Sequence, residues 1–190
     1  TYGVPGLDDM VPIDPDADVD YAGLNRLAKT YWRTNASLAA TVTPTTGTIE
    51  TAMRTVWRAC TKYGGRPTHI FCGADFLDGF INFMLHTYGR VNYGPVSTKS
   101  VEGAAGQVFY EGVELVWDPT FDDTILTDGD SSPWAKRCYF LNMREMKLRP
   151  IKKQWMIPRN PPRVYNKYEY YWGLTSRYYL VSGRPPAHGV

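Results

Sequence analysis

The chain of 190 residues is 43% hydrophobic and 14% aromatic, which excludes wholesale disorder and leaves enough apolar mass for a sizeable core. No apolar run approaches the roughly 18–20 residues of a membrane-spanning helix, and three cysteines without a CxxC pair argue against a disulfide framework or zinc finger and for a reducing compartment. The 21 Lys+Arg and 19 Asp+Glu nearly balance, but residues 1–135 carry 9 basic and 17 acidic side chains and residues 136–190 carry 12 and 2, a separation that points to nucleic acid, a membrane surface or a partner chain.

In chain order, residues 1–22 are rich in Pro, Gly and Asp and predict loop or extended chain. Residues 23–32 place Leu24, Leu27, Ala28 and Tyr31 at helix-like spacing and fit a short helix or a strand. Residues 34–47 read as a polar connection. Residues 48–63 give the clearest helix: Ile49, Ala52, Met53, Val56, Trp57, Cys60 and Tyr63 form one stripe, with Thr46 or Thr48 as cap, Glu50 in the first turn, and Gly64-Gly65 as stop. His69 to Cys72 predicts a buried strand. Residues 74–88 predict a second amphipathic helix on Phe76, Leu77, Phe80, Ile81, Met84 and Leu85. A Gly/Ser-rich loop over 89–106 precedes two strands around a tight turn at Gly112.

An acidic loop is expected over 118–133, then strands at 137–142 and 147–151. A Pro-interrupted basic loop is expected over 152–163. Residues 167–182 alternate well enough to predict one long strand, bent at Gly173. Helices segregated from hairpin strands give the class α+β.

Few residues offer chemistry. Asp14, Asp16, Asp18 and Asp20 would share a face of an extended strand, but a calcium loop would need Gly at Val19 and Glu at Asn25, so the run reads as a solvated acidic face. Asp118, Asp122, Asp123, Asp128 and Asp130 lack a calcium signature too. His69 and Cys72 point to opposite faces of a strand and would not share a metal. His86 lies late in a helix and His188 in the tail, and neither has an evident Ser, Cys or carboxylate partner. No P-loop, GxGxxG, GxSxG or HExxH occurs. No cofactor or metal is expected. The absence of motifs does not exclude an enzyme, but it leaves no residue on which to rest one.

The basic stretch is the strongest anomaly. Lys136, Arg137, Arg144, Lys147, Arg149, Lys152, Lys153, Arg159, Arg163 and Lys167 have only Glu145 as an acidic neighbour, with Trp155 and Tyr165 interleaved. It fits a phosphate-contacting surface, a solvated strand edge that discourages stray pairing, or one half of a charge contact between identical subunits.

The order of elements carries a resemblance. A helix at 48–63, "RPTHIFCG", a second helix, a long loop, "FYEGVELVWDP", "CYFLNMREMKLRP" and a final strand ending "SRYYLVSGRPPAHGV" together resemble the C-terminal part of tailed-bacteriophage major capsid proteins of the Hong Kong 97 type. The residues that carry it are Ile70–Gly73, Gly112 to Val116, Tyr139–Asn142, and Arg177 through Arg184-Pro185. Gly6-Leu7, Ala22-Gly23-Leu24 and Trp32-Arg33 resemble the segment that follows that family's spine helix. The resemblance covers most of the chain through its ordered set, with no single diagnostic motif.

The resemblance implies a Hong Kong 97-like fold, with peripheral-domain segments at 1–47 and 146–190 and an axial domain, a central sheet flanked by helices, at 48–145. The family's N-terminal arm, extended loop and spine helix are expected before Thr1, in keeping with the lack of an initiating Met. The implied role is a coat protein that assembles as pentamers and hexamers into an icosahedral shell around double-stranded DNA, in the host cytoplasm and then the virion, with decoration or portal proteins as further partners and no membrane. By analogy Asp122, Asp123, Asp128 and Asp130 approach a capsomer axis, and Lys152, Lys153, Arg159 and Arg163 lie near threefold contacts. Some members crosslink a Lys to an Asn with a Glu as base. The matching positions here are Tyr168 and Thr175, so no crosslinking is expected. An encapsulin-like shell and a nucleic-acid-binding module using residues 136–167 are the alternatives.

Overall fold

A computed structural model of the chain describes residues 6–38, 48–62, 64–88, 108–123, 134–159 and 172–190. The expected loop at 89–106, most of the acidic loop, Thr46, and residues 160–171 lie outside the described residues.

The chain opens with one helical turn, α1 (Leu7–Met10), then strands β1 (Asp20–Tyr21) and β2 (Leu24–Asn25) pair around Ala22 and Gly23. Both turn residues have positive φ, 54° and 80°, the geometry that matches the twist of a two-residue hairpin. The helix-like spacing over 23–32 therefore does not become an α-helix. Asn25 Oδ1 accepts the Ala28 N–H at 3.0 Å, a local bond that competes with the helical ladder, and only a 3₁₀ turn forms at Thr30–Trp32.

Helix α2 (Thr48–Thr61) buries Ile49, Met53, Val56 and Cys60, the predicted stripe. Gly64, at φ 80°, follows its end. Strand β3 (His69–Cys72) leads into helix α3 (Ala74–Tyr88), which buries Phe76, Phe80 and Phe83. The two helices are tied at their ends by the Tyr88 hydroxyl donating to Glu50 Oε2 at 2.7 Å. Strands β4 (Phe109–Tyr110) and β5 (Val113–Trp117) turn at Glu111 and Gly112, both at positive φ, as the glycine there predicts.

Strand β6 (Cys138–Leu141) completes a sheet of order β4-β5-β3-β6. β3 and β5 run parallel with α3 in their connection, and the other pairs are antiparallel. Alternation puts the two faces of β6 into different cores. Cys138 and Phe140 join Ile70, Cys72, Leu115 and the helices on one side; Tyr139 and Leu141 join Met10, Val11, Tyr21 and Phe121 on the other. This is why β6 reads as an unbroken apolar run.

The C-terminal segment is stitched to this sheet and to residues 35–37. Phe140 and Gly189 exchange backbone hydrogen bonds at 2.8 and 3.0 Å, and the 188–190 segment bonds in turn to Asn35 and Ser37. Gly189 is required there: a Cβ would sit 2.5 Å from Val56 Cγ1.

The remaining strands form a two-stranded ribbon. β7 (Met146–Pro150) pairs with β10 (Tyr178–Ser182), and β8 (Ile157–Arg159) with β9 (Gly173–Thr175). Two bonds, Ile151 N–H to the Arg177 carbonyl and Arg177 N–H to the Gln154 carbonyl, join the halves. Two expectations are corrected here. The basic loop at 152–163 contains β8, and the described part of the long strand at 167–182 is two strands. The cause is a mismatch: residues 151–156 stand opposite only Ser176 and Arg177, so the ladder jogs. The Ser176 hydroxyl fills the gap by accepting the Met156 N–H at 3.1 Å. The molecule is α+β, and among the described residues no helix is long and apolar enough to cross a membrane.

Candidate functional site

The residues that looked reactive are committed to structure. Cys60, Cys72 and Cys138 are free, buried thiols. Burial pushes Cys60 and Cys72 up to about 12 and Cys138 higher than its usual value, away from the thiolate form that reacts. His69 is exposed and stacks on Phe71, while Cys72 is buried on the opposite face, as strand alternation requires. His86 is exposed in the last turn of α3.

His188 corrects the reading of a tail residue without a partner. It is fully buried; its Nδ1 lies 3.1 Å from the Asn142 N–H and its Nε2 lies 2.9 Å from Ser182 Oγ. A backbone N–H can only donate, so Nδ1 accepts. The proton of the neutral ring therefore sits on Nε2 and is donated to the serine. A base that activates a serine needs the opposite tautomer, accepting from the hydroxyl. The pair is thus a clamp between β6, β10 and the C-terminal segment, not a nucleophile and its base. Burial holds the His188 pKa down at about 4, which keeps it neutral.

The acidic run from Asp14 to Asp20 is not an extended strand. Asp14 accepts the Asp16 N–H, Asp18 accepts from Asn25 Nδ2, and Asp16 pairs with Arg33 at 2.8 Å. All four aspartates are exposed, and no group of side chains suited to a metal occurs among the described residues. The end of α1 is held instead by Arg26, a residue that the sequence did not single out. Arg26 is 1% exposed, donates to the Asp9 and Met10 carbonyls at 2.8 Å, and lies 4.9 Å over the Tyr21 ring. Nothing in its spacing distinguishes it from a surface arginine.

Of the candidate contact residues, Asp122 is used within the chain. Its carboxylate accepts the Ala74 N–H at the start of α3 (3.0 Å) and the Trp117 indole N–H (2.5 Å). Asp123 is exposed. Asp128, Asp130 and Arg163 lie outside the described residues. Lys152, Lys153 and Arg159 all lie on the ribbon, the lysines in the turn 151–154 and Arg159 at the end of β8.

The ribbon is the candidate site. Residues 146–159 and 172–182 hold Lys147, Arg149, Lys152, Lys153, Arg159 and Arg177 and no carboxylate. All six cations are exposed, and none has an ion-pair partner among the described residues. Arg177 was missed as a member because only the hairpin brings it back. Arg137 is removed from the basic surface: it is buried, 3.3 Å from Asp8 and over the Trp134 ring. Cross-strand register puts Lys147, Arg149, Tyr179 and Val181 on one face, and Met146, Leu148, Pro150, Tyr178 and Leu180 on the other. Met146 and Leu180 pack on the second core. Beyond them, Leu148, Trp155, Met156, Trp172, Leu174 and Tyr179 are 48–68% exposed. Scattered exposed apolar residues are ordinary; six on one ribbon, with Tyr179 on the face of Lys147 and Arg149 and Leu148 on the other, leave both faces with apolar area open to a partner.

Comparison with models of known protein families finds no match, and comparison with curated proteins finds none.

Proposed function

We propose that the chain is a non-enzymatic structural subunit of a self-assembling shell: a major capsid protein of the Hong Kong 97 type that encloses double-stranded DNA. The observation that carries this reading is the ribbon, which exposes six large apolar side chains and six cations without an ion-pair partner among the described residues. An isolated two-stranded ribbon is marginal in water and gains from being covered. The order of elements supports the reading as well: helix, strand, helix, hairpin, strand, then a returning ribbon that ends in Arg184-Pro185. In this reading residues 48–145 form the axial part, and residues 1–47 and 146–190 the peripheral part. Closed shells built from many modest contacts gain avidity from their number.

Electron microscopy of the native protein tests the proposal. Closed icosahedral particles are expected; monodisperse monomer at high protein concentration would overturn it. A second reading rests on the same ribbon, where Trp155, Trp172 and Tyr179 stand among cations as in single-stranded nucleic-acid sites. Its mark is sequence-tolerant binding that weakens steeply with salt, by a protein that forms no particles.

A further inference from the structure

The composition of the ribbon restricts what can cover it. Met156 and Leu174 gain nothing from a phosphate backbone, whereas a protein surface can bury exposed apolar side chains such as Tyr179, which stands opposite Arg149, and meet the cations with carboxylates. The same chain carries such a surface. Asp14, Asp16, Asp18 and Asp20 are exposed in one loop, with Val19 exposed at 54% among them. Among the described residues only Asp16 has an ion-pair partner.

Lys153 adds an independent observation. It sits third in the four-residue turn 151–154, closed by the Gln154 N–H on the Ile151 carbonyl, and its φ is 60°. That is the left-handed region, where glycine is free and a lysine is strained. A charged side chain held at such a position points from strain toward function.

Resting on the reading of the chain as a self-assembling subunit, we propose that the basic ribbon docks on the Asp14–Asp20 loop of a second copy of the chain. Lys147, Arg149, Lys152 and Lys153 face the aspartates, and Tyr179, exposed on the same face as Lys147 and Arg149, covers Val19. The two surfaces differ, so the contact is head-to-tail and leaves a ribbon and a loop open for further copies.

A charge-swap cycle on the full chain tests this, read by sedimentation velocity at about 50 mM salt, where such contacts are least screened. Lys152→Glu with Lys153→Glu, and separately Asp14→Lys with Asp18→Lys, should each weaken self-association by about tenfold or more. The chain with all four changes should regain most of it. Lys153→Gly should raise the unfolding midpoint while weakening association, an opposition that a purely structural lysine would not produce. Failure of the four-fold variant to recover, or an acidic-loop variant that associates like the parent, would overturn the contact. Ribbon variants that lose only duplex-DNA binding would overturn it in favour of nucleic acid. If the parent forms particles and the acidic-loop variant forms them equally, only this contact fails; if the parent forms none, the shell reading fails with it.

Discussion

At the residue scale, His188 shows how burial decides chemistry. In the unfolded chain its pKa is near 6.5, and in the folded chain it is about 4. Between those values the unfolded state binds the extra proton. Stability is therefore unaffected by this residue above pH 6.5, falls as pH drops toward 4, and levels off below. The difference corresponds to roughly 3 kcal/mol at most. Urea unfolding across pH 4–7 should show this slope in the parent and lose it in His188→Gln. A parent and variant with parallel pH profiles would refute the assignment. His188→Ala should also cost about 2–4 kcal/mol at pH 7, because the buried Asn142 N–H and Ser182 hydroxyl lose their partner.

At the element scale, the short C-terminal segment is worth more than its length. Residues 188–190 make five backbone bonds to distant segments, two to Phe140, two to Asn35 and one to Ser37. At about 1 kcal/mol each they approach the low end of a domain's whole stability. Deleting residues 188–190 should remove most of the cooperative thermal transition seen by circular dichroism; an unchanged midpoint would show that the sheet ends at β6. Here the sequence was legible only in part. Helices α2 and α3 and strands β3, β5 and β6 follow from apolar periodicity, because each buries one face or both. The 188–190 strand carries no such pattern. Its pairing depends on Gly189 passing within van der Waals reach of Val56, a contact across more than 130 positions.

At the scale of the whole molecule, the charge split of the sequence becomes two surfaces. The aspartates of the N-terminal loop are exposed, and the cations gather on a ribbon whose described residues, 146–159 and 172–182, hold no carboxylate. Assemblies held by such surfaces should release subunits as ionic strength rises, since exposed pairs are screened within about 8–10 Å near physiological salt. Nuclease treatment should leave them intact. Size-exclusion chromatography over a salt series distinguishes the cases, and assemblies that fall apart on nuclease digestion alone would point to bridging nucleic acid.

By itself the sequence determined the α+β class, the two helices, the central strands, the absence of a catalytic motif and the uneven charge. Each is a property of composition or of short-range period, which a linear reading can hold. Only the tertiary structure decided which cations share a surface. Arg137 is drawn inward by Asp8 and Trp134, while Arg177 returns across the hairpin to stand beside Lys152 and Lys153. The same is true of His188, whose partners Asn142 and Ser182 come from different strands. Such groupings are made by long-range backbone pairing, and neither periodicity nor spacing along the chain records where a strand will come to lie.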